Sequence, residues 1–287
     1  MPADQILRKW IFVLVIGLLI SACQPQMVTS TFMPVTKTPE PTRTKLPTQT
    51  ITPTTQSTQI PATATSTEKV FQVCSPLEEE TIESLSSIIV NPMVIPPIGR
   101  DDGHHGVDFA YYRRGERESI QGIEVYAILS GKVVSTLENN TPYGFTILIE
   151  TPLLELSENL QEILMEIYQP VPDEIHYQGE CPPINPPNTM VENSLYHLYA
   201  HLEEKPPYMQ GDLIPCGTAL GTVGSSGRSS NPHLHLETRL GPSGAEFGDM
   251  AFYETIYSEK QRADYCLWRM SGYYQLFDPF LLFEHGR

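Results

Sequence analysis

The chain has 287 residues, of which 40% are hydrophobic and 18% are charged, and this composition excludes a wholly disordered protein. The 34 acidic residues outnumber the 18 Lys and Arg, so the formal net charge is −16. Because a nucleic-acid partner requires clustered cations that neutralise its phosphates, this charge argues against binding to DNA or RNA.

Residues 1–22 have the pattern of an export signal. Arg8 and Lys9 precede an apolar run over residues 10–20, which is too short to cross a bilayer core of roughly 30 Å as a helix. The Ile-Ser-Ala-Cys sequence that ends at Cys23 resembles a bacterial lipobox, in which the cysteine is acylated and becomes the first mature residue. We therefore expect a lipoprotein signal peptide and an exported protein, anchored by lipidated Cys23 in a membrane at the cell surface or envelope. An uncleaved N-terminal anchor is the alternative.

Residues 23–68 are predicted to form a disordered tether. Fifteen Thr and seven Pro lie among residues 24–68, and the segment has no hydrophobic periodicity. Such a composition cannot bury enough apolar surface to offset the entropy of ordering the chain. In a mostly extended polyproline conformation the tether would reach on the order of 100 Å.

Residues 69–287 remain for a folded domain, and they carry a net charge of −18 because each of the two preceding segments carries +1. An even number of cysteines in an exported domain favours two disulfides. A four-cysteine zinc site is the alternative, but no C-x-x-C pair is present to form it. The expected pairing is Cys216 with Cys266 and Cys74 with Cys181.

Alternating apolar residues, β-branched residues and bounding glycines predict a mainly β domain with antiparallel strands. The expected strands cover residues 123–129, 132–137, 145–150, 195–202 and 233–240. Helical periodicity is limited to residues 77–89 and 153–167. Insertions are expected at about 151–194 and 241–272. An aromatic group near the C-terminus is interpreted as core packing, with a glycan-stacking platform as the alternative: Tyr265, Trp268, Tyr273, Tyr274 and Phe277.

Two histidine clusters contain residue types that bind metals. His233 and His235 lie in a strand-like run, where residues two apart point to the same face, so one ring can bind a metal while the other meets a substrate. His104 and Asp108 supply a nitrogen and a carboxylate oxygen, both of which suit Zn²⁺. His105 is the rival of His104 and is expected to point to solvent or to the groove rim. The alternatives are histidines without a special role and a turn in which Asp108 caps neighbouring amides.

A third cluster lies in the strand predicted over residues 195–202. By strand parity, His197, Tyr199 and His201 are expected to share one face. A histidine beside a metal can transfer protons, since its unperturbed pKa near 6.5 lies in the working range. We interpret His197 as a packing residue.

Four motifs occur in one order along the chain: His104-x-Gly106-x-Asp108, Tyr199-Ala200-His201-Leu202, Gly221-Thr222-Val223-Gly224 with Ser225-Ser226-Gly227, and Pro232-His233-Leu234-His235-Leu236-Glu237. In this order they resemble the lysostaphin-type (LytM-like) zinc peptidases, and the resemblance covers roughly residues 95–280. It implies an antiparallel barrel-sandwich hybrid fold, the duplicated hybrid motif, with an open groove.

The resemblance also implies site residues and an activity. His104, Asp108 and His235 would ligate Zn²⁺, while His201 and His233 would be the catalytic histidines. The implied activity is zinc-dependent endopeptidase hydrolysis of peptide bonds in peptidoglycan stems or cross-bridges, with peptidoglycan peptide as the partner. Which histidine is the general base stays open.

Two alternative functions accompany this reading. One is a non-catalytic relative that binds peptidoglycan or regulates an amidase, although such relatives usually lose metal ligands. The other is a D-Ala-D-Ala carboxypeptidase, which requires a longer His-to-Asp spacing.

The chain also departs from the family pattern at three points. Asn231 replaces a glycine, Thr151 replaces a histidine, and the segment over 151–194 is far longer than the usual turn. These changes bear on groove shape and therefore on bond preference.

Overall fold

Alternating apolar residues in the middle of the chain form two long neighbouring strands, β5 (Phe145–Pro152) and β6 (Asn193–Leu202), which pair antiparallel. The structure is a computed structural model, and it describes residues 71–286. The other strands are β1 (Ile89–Asn91), β2 (Val107–Phe109), β3 (Glu124–Tyr126), β4 (Gly131–Leu137), β7 (Leu213–Ile214), β8 (Ala219–Thr222), β9 (Leu234–Pro242) and β10 (Gln275–Leu276).

The strands form one large sheet and one small sheet. The order in the large sheet is β1-β2-β9-β6-β5-β4-β7, with β10 also paired to β9, and β3 pairs with β8 in the small sheet. Every strand pair is antiparallel. The predicted mainly β, antiparallel fold is confirmed, and the large sheet is open rather than closed into a barrel.

The large sheet is buried on both faces. In β9, Leu234 and Leu236 point into a largely aliphatic cluster, whereas His235 and Glu237 point to the opposite face. The opposite face is covered by an aromatic cluster that includes Trp268. Four of the five aromatic residues near the C-terminus are buried, which confirms their interpretation as core: Tyr265, Trp268, Tyr274 and Phe277.

The two predicted helices are only partly correct. Residues 77–89 contain a short 3-10 helix, Leu85–Ile88, and Leu77 instead forms an isolated bridge with Val125, so pairing with a strand overrides the local periodicity. The second segment begins with a 3-10 turn at Leu153–Glu155, and helix α1 (Glu158–Ile167) follows. The break falls at Leu156, whose backbone is extended.

The structure contains two helices that the sequence patterns did not predict. Helix α2 (Glu259–Arg269) begins with a capping box, in which the side chains of Ser258 and Gln261 reciprocally bond each other's backbone N–H groups. Helix α3 (Phe280–His285) follows β10. Among the described residues, no helix combines the length and the apolar character that crossing a membrane requires.

The predicted presence of two disulfides is confirmed, but the predicted pairing is wrong. Cys74 bonds Cys216, and Cys181 bonds Cys266. The backbone N–H of Cys74 donates to the Ile128 carbonyl at 2.9 Å, and Ile128 also lies against the Cys216 sulfur. The partners are thus set by strand neighbours that spacing alone does not reveal.

We expect the Cys181–Cys266 disulfide to stabilise the domain substantially, because it closes a long loop with a sequence separation of 85 residues. Replacing both cysteines with serine should lower the free energy of unfolding by roughly 2–4 kcal/mol in a urea titration. The matched control is the wild-type chain after reduction and alkylation, which opens both disulfides. An unchanged unfolding midpoint for the double variant would contradict this expectation.

Candidate metal centre and active site

Strand register brings the candidate metal ligands together. Asp108 in β2 lies directly opposite His235 in β9, and His235 lies opposite Ala200 in β6. The neighbours of Asp108 in β2, Val107 and Phe109, are buried on the aliphatic side, so the carboxylate points to the other face.

The three predicted ligands converge on one point. Asp108 Oδ1 lies 3.1 Å from His104 Nε2 and 2.8 Å from His235 Nδ1. The three donor atoms all lie within 4.8 Å of one another, and within residues 71–286 this is the one group of three or more potential metal ligands so arranged. The predicted convergence of these residues is therefore present in the fold.

Hydrogen bonds to neighbouring groups orient the three side chains. The Nδ1–H of His104 donates to the Pro92 carbonyl at 3.0 Å, which leaves Nε2 free to bind a metal. The Asn91 amide donates to the second Asp108 oxygen at 3.1 Å. His235 Nε2 is buried and faces the Glu237 carboxylate at 3.5 Å, so its Nδ1 is the ligand atom. Such outer partners fix the tautomer and orientation of metal ligands.

The charges of the group suit a cation. Burial opposes ionisation of Asp108, but hydrogen bonds from His104 and His235 outweigh it and hold the Asp108 pKa well below its usual range. Burial also lowers the pKa of His235, yet hydrogen bonds to Asp108 and Glu237 outweigh that effect and raise the pKa to about 9. The carboxylates thus stabilise positive charge at this point.

The donor set fits zinc. Two imidazole nitrogens and one carboxylate oxygen are ligands that Zn²⁺ accepts, and three protein ligands are typical of catalytic rather than structural sites. His104 and Asp108 each have the neighbouring hydrogen-bond partner that such ligands require, and the Glu237 carboxylate lies 3.5 Å from Nε2 of His235. His104, Asp108 and His235 would hold the ion.

The predicted catalytic histidines lie beside this group. The rings of His201 and His233 have centroids 4.7 Å apart, and the His201 and His235 centroids are 5.8 Å apart. His233 Nε2 lies 3.5 Å from Asp108 Oδ1. The expectation that His233 and His235 point to the same face is confirmed.

Backbone carbonyls fix the tautomers of both histidines. His201 Nδ1–H donates to the Ser226 carbonyl at 2.8 Å, and His233 Nδ1–H donates to the Asn231 carbonyl at 2.8 Å. Because a carbonyl only accepts, Nε2 is the unbonded nitrogen of each ring. Burial, with a smaller effect from His235 and His233, lowers the pKa of His201 to about 3 and keeps this ring neutral.

The parity prediction for β6 is wrong at its end. His201 has a φ of +61°, in the left-handed region, and the β5–β6 pairing shifts register opposite this segment. Tyr199 and Leu202 therefore both point into the aliphatic cluster, and His201 points to the metal side instead of sharing a face with His197. Strained backbone conformations of this kind are frequent at active sites.

His197 and His105 take no part in the metal group. His197 is buried between Thr151 Oγ1 and the Tyr199 hydroxyl, which confirms it as a packing residue, and burial lowers its pKa to about 3. The prediction that His105 faces solvent or the rim is wrong: it is 1% exposed, and its Nδ1 accepts a hydrogen bond from Arg239 at 2.8 Å.

The three departures from the family pattern leave the site intact. Thr151 lies in β5 and bonds His197, away from the metal group. Asn231 supplies the carbonyl that orients His233. In the long 151–194 segment, the Gln178 side chain accepts from the backbone N–H of Asp101 at 2.9 Å.

A groove of about 450 Å³, here called the site groove, opens over these residues. Its lining includes all five predicted residues and several that sequence analysis missed: Asn91, Asp101, Tyr143, Arg228, Tyr253 and Arg269. Larger cavities of about 960 and 520 Å³ contain none of the five, so chemistry rather than size identifies the site. No local sequence signal marks the missed residues: Asn91 ends the short strand β1, and the other five come from the second insertion or from connecting segments.

The antiparallel sheet thus brings three metal-type donors and two further histidines into one groove. Residues 189–246 match the model of peptidase family M23, and this segment holds His201, His233 and His235. The match supports the resemblance to the lysostaphin-type peptidases over this segment.

Solved structures give low overall similarity. The catalytic domain of lysostaphin from Staphylococcus simulans is 20% identical with a TM-score of 0.35, over 72% of this chain and 99% of that one. A zinc-containing peptidase from Vibrio cholerae is 22% identical with a TM-score of 0.28, over 58% and 32%. The catalytic domain of the prophage-encoded M23 protein EnpA from Enterococcus faecalis is 20% identical with a TM-score of 0.31, over 55% and 82%. No curated protein matches the chain.

Glu237 should contribute to metal affinity through His235. We expect Glu237→Gln to weaken zinc binding by about 10–100-fold, because the amide orients and polarises the imidazole less than the carboxylate does. A competition titration against a chromophoric chelator measures the change. The matched control is Glu150→Gln, a buried carboxylate in the same sheet that bonds Tyr196 and Gly244 instead. Equal zinc affinity in Glu237→Gln and wild type would contradict this role.

Proposed function

We propose that this protein is a zinc-dependent endopeptidase that hydrolyses peptide bonds of peptidoglycan stems or cross-bridges. The observation that carries the proposal is the convergence of five residues in one groove: His104, Asp108, His201, His233 and His235. The M23 match over residues 189–246 supports a peptidase. The retention of the complete ligand set favours an enzyme over a non-catalytic relative.

The site residues have separable tasks. A bound zinc ion would supply Lewis-acid polarisation of the scissile carbonyl and would acidify water. His201 is neutral with Nε2 unbonded, so this atom can accept a proton from the attacking water. His233 presents Nε2 to the same groove, and in its protonated form this nitrogen can donate a hydrogen bond to the developing oxyanion. The proton that His201 takes from the water can then pass to the leaving amine. The reverse assignment of the two histidines is equally compatible with their tautomers.

The catalytic test uses purified peptidoglycan and the full chain, with mass analysis of released fragments. We expect zinc-dependent cleavage that a chelator abolishes. His201→Ala and His233→Ala should each reduce the rate by about 10²–10⁴-fold while zinc stays bound, since general acid–base groups contribute that much. His176→Ala is the matched control, because His176 is exposed and lies outside the site groove. Wild-type rates in both active-site variants would refute the mechanism, and bound zinc without any cleavage would favour a non-catalytic relative.

We further propose that the domain works outside the cytoplasm on a tether anchored through Cys23. The signal-like residues 1–22 and the Thr/Pro-rich residues 23–68 support this proposal, and both lie outside the described residues. Cys23→Ala should release the protein from the membrane fraction in a cell fractionation, because acylation requires the thiol. Ser30→Ala serves as the control. Unchanged membrane retention of Cys23→Ala would contradict lipid anchoring.

A further inference from the structure

The site groove contains two arginines with different surroundings. Arg269 is buried: its Nε donates to Asp101 Oδ1 at 2.6 Å, and its Nη1 donates to the Tyr143 hydroxyl at 3.2 Å. Arg228 is exposed, and among residues 71–286 its guanidinium has neither an ion-pair partner nor a hydrogen bond. The groove therefore presents a cation without an acidic partner, although residues 69–287 carry a net charge of −18.

The backbone beneath Arg228 is held firmly in place. Its N–H donates to the Pro142 carbonyl at 2.8 Å, and the N–H of Gly227 donates to Asn139 Oδ1 at 2.7 Å. Gly227 has a φ of +68°, and a Cβ at this position would lie 2.3 Å from the Gly144 nitrogen, so the two segments approach as closely as glycine allows. The next residue, Ser229, contacts His233 Nδ1 at 3.3 Å. Arg228 is thus fixed at a short distance along the chain from a catalytic histidine.

The side chain of Arg228 is also oriented. Its guanidinium lies over the Tyr253 ring, 5.3 Å from the centroid, and the Tyr253 hydroxyl donates to Asp101. Stacking uses the face of the guanidinium and leaves its in-plane N–H donors available. These donors form a fork that matches a carboxylate, and pre-organisation reduces the entropy that binding would cost.

We propose that Arg228 is a specificity-determining residue that binds a free carboxylate of the peptide substrate next to the scissile bond. The proposal rests on the proposed function only in taking a peptide as the ligand of the groove. Without a local cation, the strongly acidic domain would disfavour an anionic peptide. A bidentate pair in a groove is stronger than a fully exposed ion pair, so the expected preference for a carboxylate is about tenfold.

Binding is measured by fluorescence anisotropy with two fluorescein-labelled stem peptides. In one peptide all carboxyl groups are free, and in the other each is a carboxamide. The protein is the zinc-loaded full chain carrying His201→Ala, which slows turnover. We expect about tenfold tighter binding of the carboxylate peptide, loss of this preference in Arg228→Gln, and an intermediate preference in Arg228→Lys, which keeps the charge but loses the fork.

Arg113→Gln is the matched control, because it removes the same charge from an exposed residue outside the site groove and should keep the preference. The proposal is overturned if neither peptide binds, if both bind equally, or if Arg228→Gln keeps the preference.

Turnover of the same two peptides by the chain with His201 restored separates this proposal from the proposed function. Selective binding without cleavage contradicts the endopeptidase but supports carboxylate recognition. Equal cleavage of both peptides by wild type and Arg228→Gln supports the endopeptidase and overturns the role of Arg228.

Discussion

The contact between Asp108 and His235 is the interaction on which the site depends. These residues lie directly opposite each other in β2 and β9, and their neighbours along both strands are buried on the aliphatic side. A shift of either strand by one residue would turn its ligand away from the groove and bring a buried apolar neighbour, such as Phe109 or Leu234, into its place. The burial of the apolar neighbours therefore fixes the two ligands from strands that are far apart in sequence.

Two buried carboxylates and two buried guanidiniums lie near that contact. Glu237 accepts from Arg239 at 2.5 Å and from the Tyr143 hydroxyl at 2.9 Å, while Asp101 pairs with Arg269. Two carboxylates thus meet two guanidiniums, which limits the cost of burying them. Asp108 stands outside this balance and has only imidazoles and the Asn91 amide around it. Its negative charge is the one in the groove that a metal cation would neutralise.

The metal-type residues could be predicted from the sequence because their spacing is local. Features that depend on the packing of distant segments could not. The spacing of His104 to Asp108 and of His233 to His235 identified four side chains that do converge. The orientation of His201 depends on a left-handed backbone conformation that shifts strand parity. The residue type at this position does not predict that conformation. Likewise, the disulfide partners follow from which strands and loops become neighbours.

The predictions for residues 77–89 and for His105 were wrong for a related reason. The apolar spacing in that segment fits a helix in isolation, but Leu77 reaches the core through a strand-like bridge to Val125. His105 looked exposed because it adjoins a ligand, yet it lies in the buried network with Arg239. In both cases contacts with distant segments, which a local pattern does not contain, determine the outcome.

The second insertion of this chain lines the site groove, and the first insertion supports the groove lining through Asp101. The Cys181–Cys266 disulfide links the 151–194 segment to α2, and Gln178 binds the backbone of Asp101. Asp101 in turn accepts hydrogen bonds from Tyr253 and Arg269 of the second insertion. Asp108 and His235 are thus positioned by strands of the sheet, whereas Tyr253 and Arg269 of the groove wall come from an insertion. This separation allows substrate preference to change while the metal chemistry stays constant.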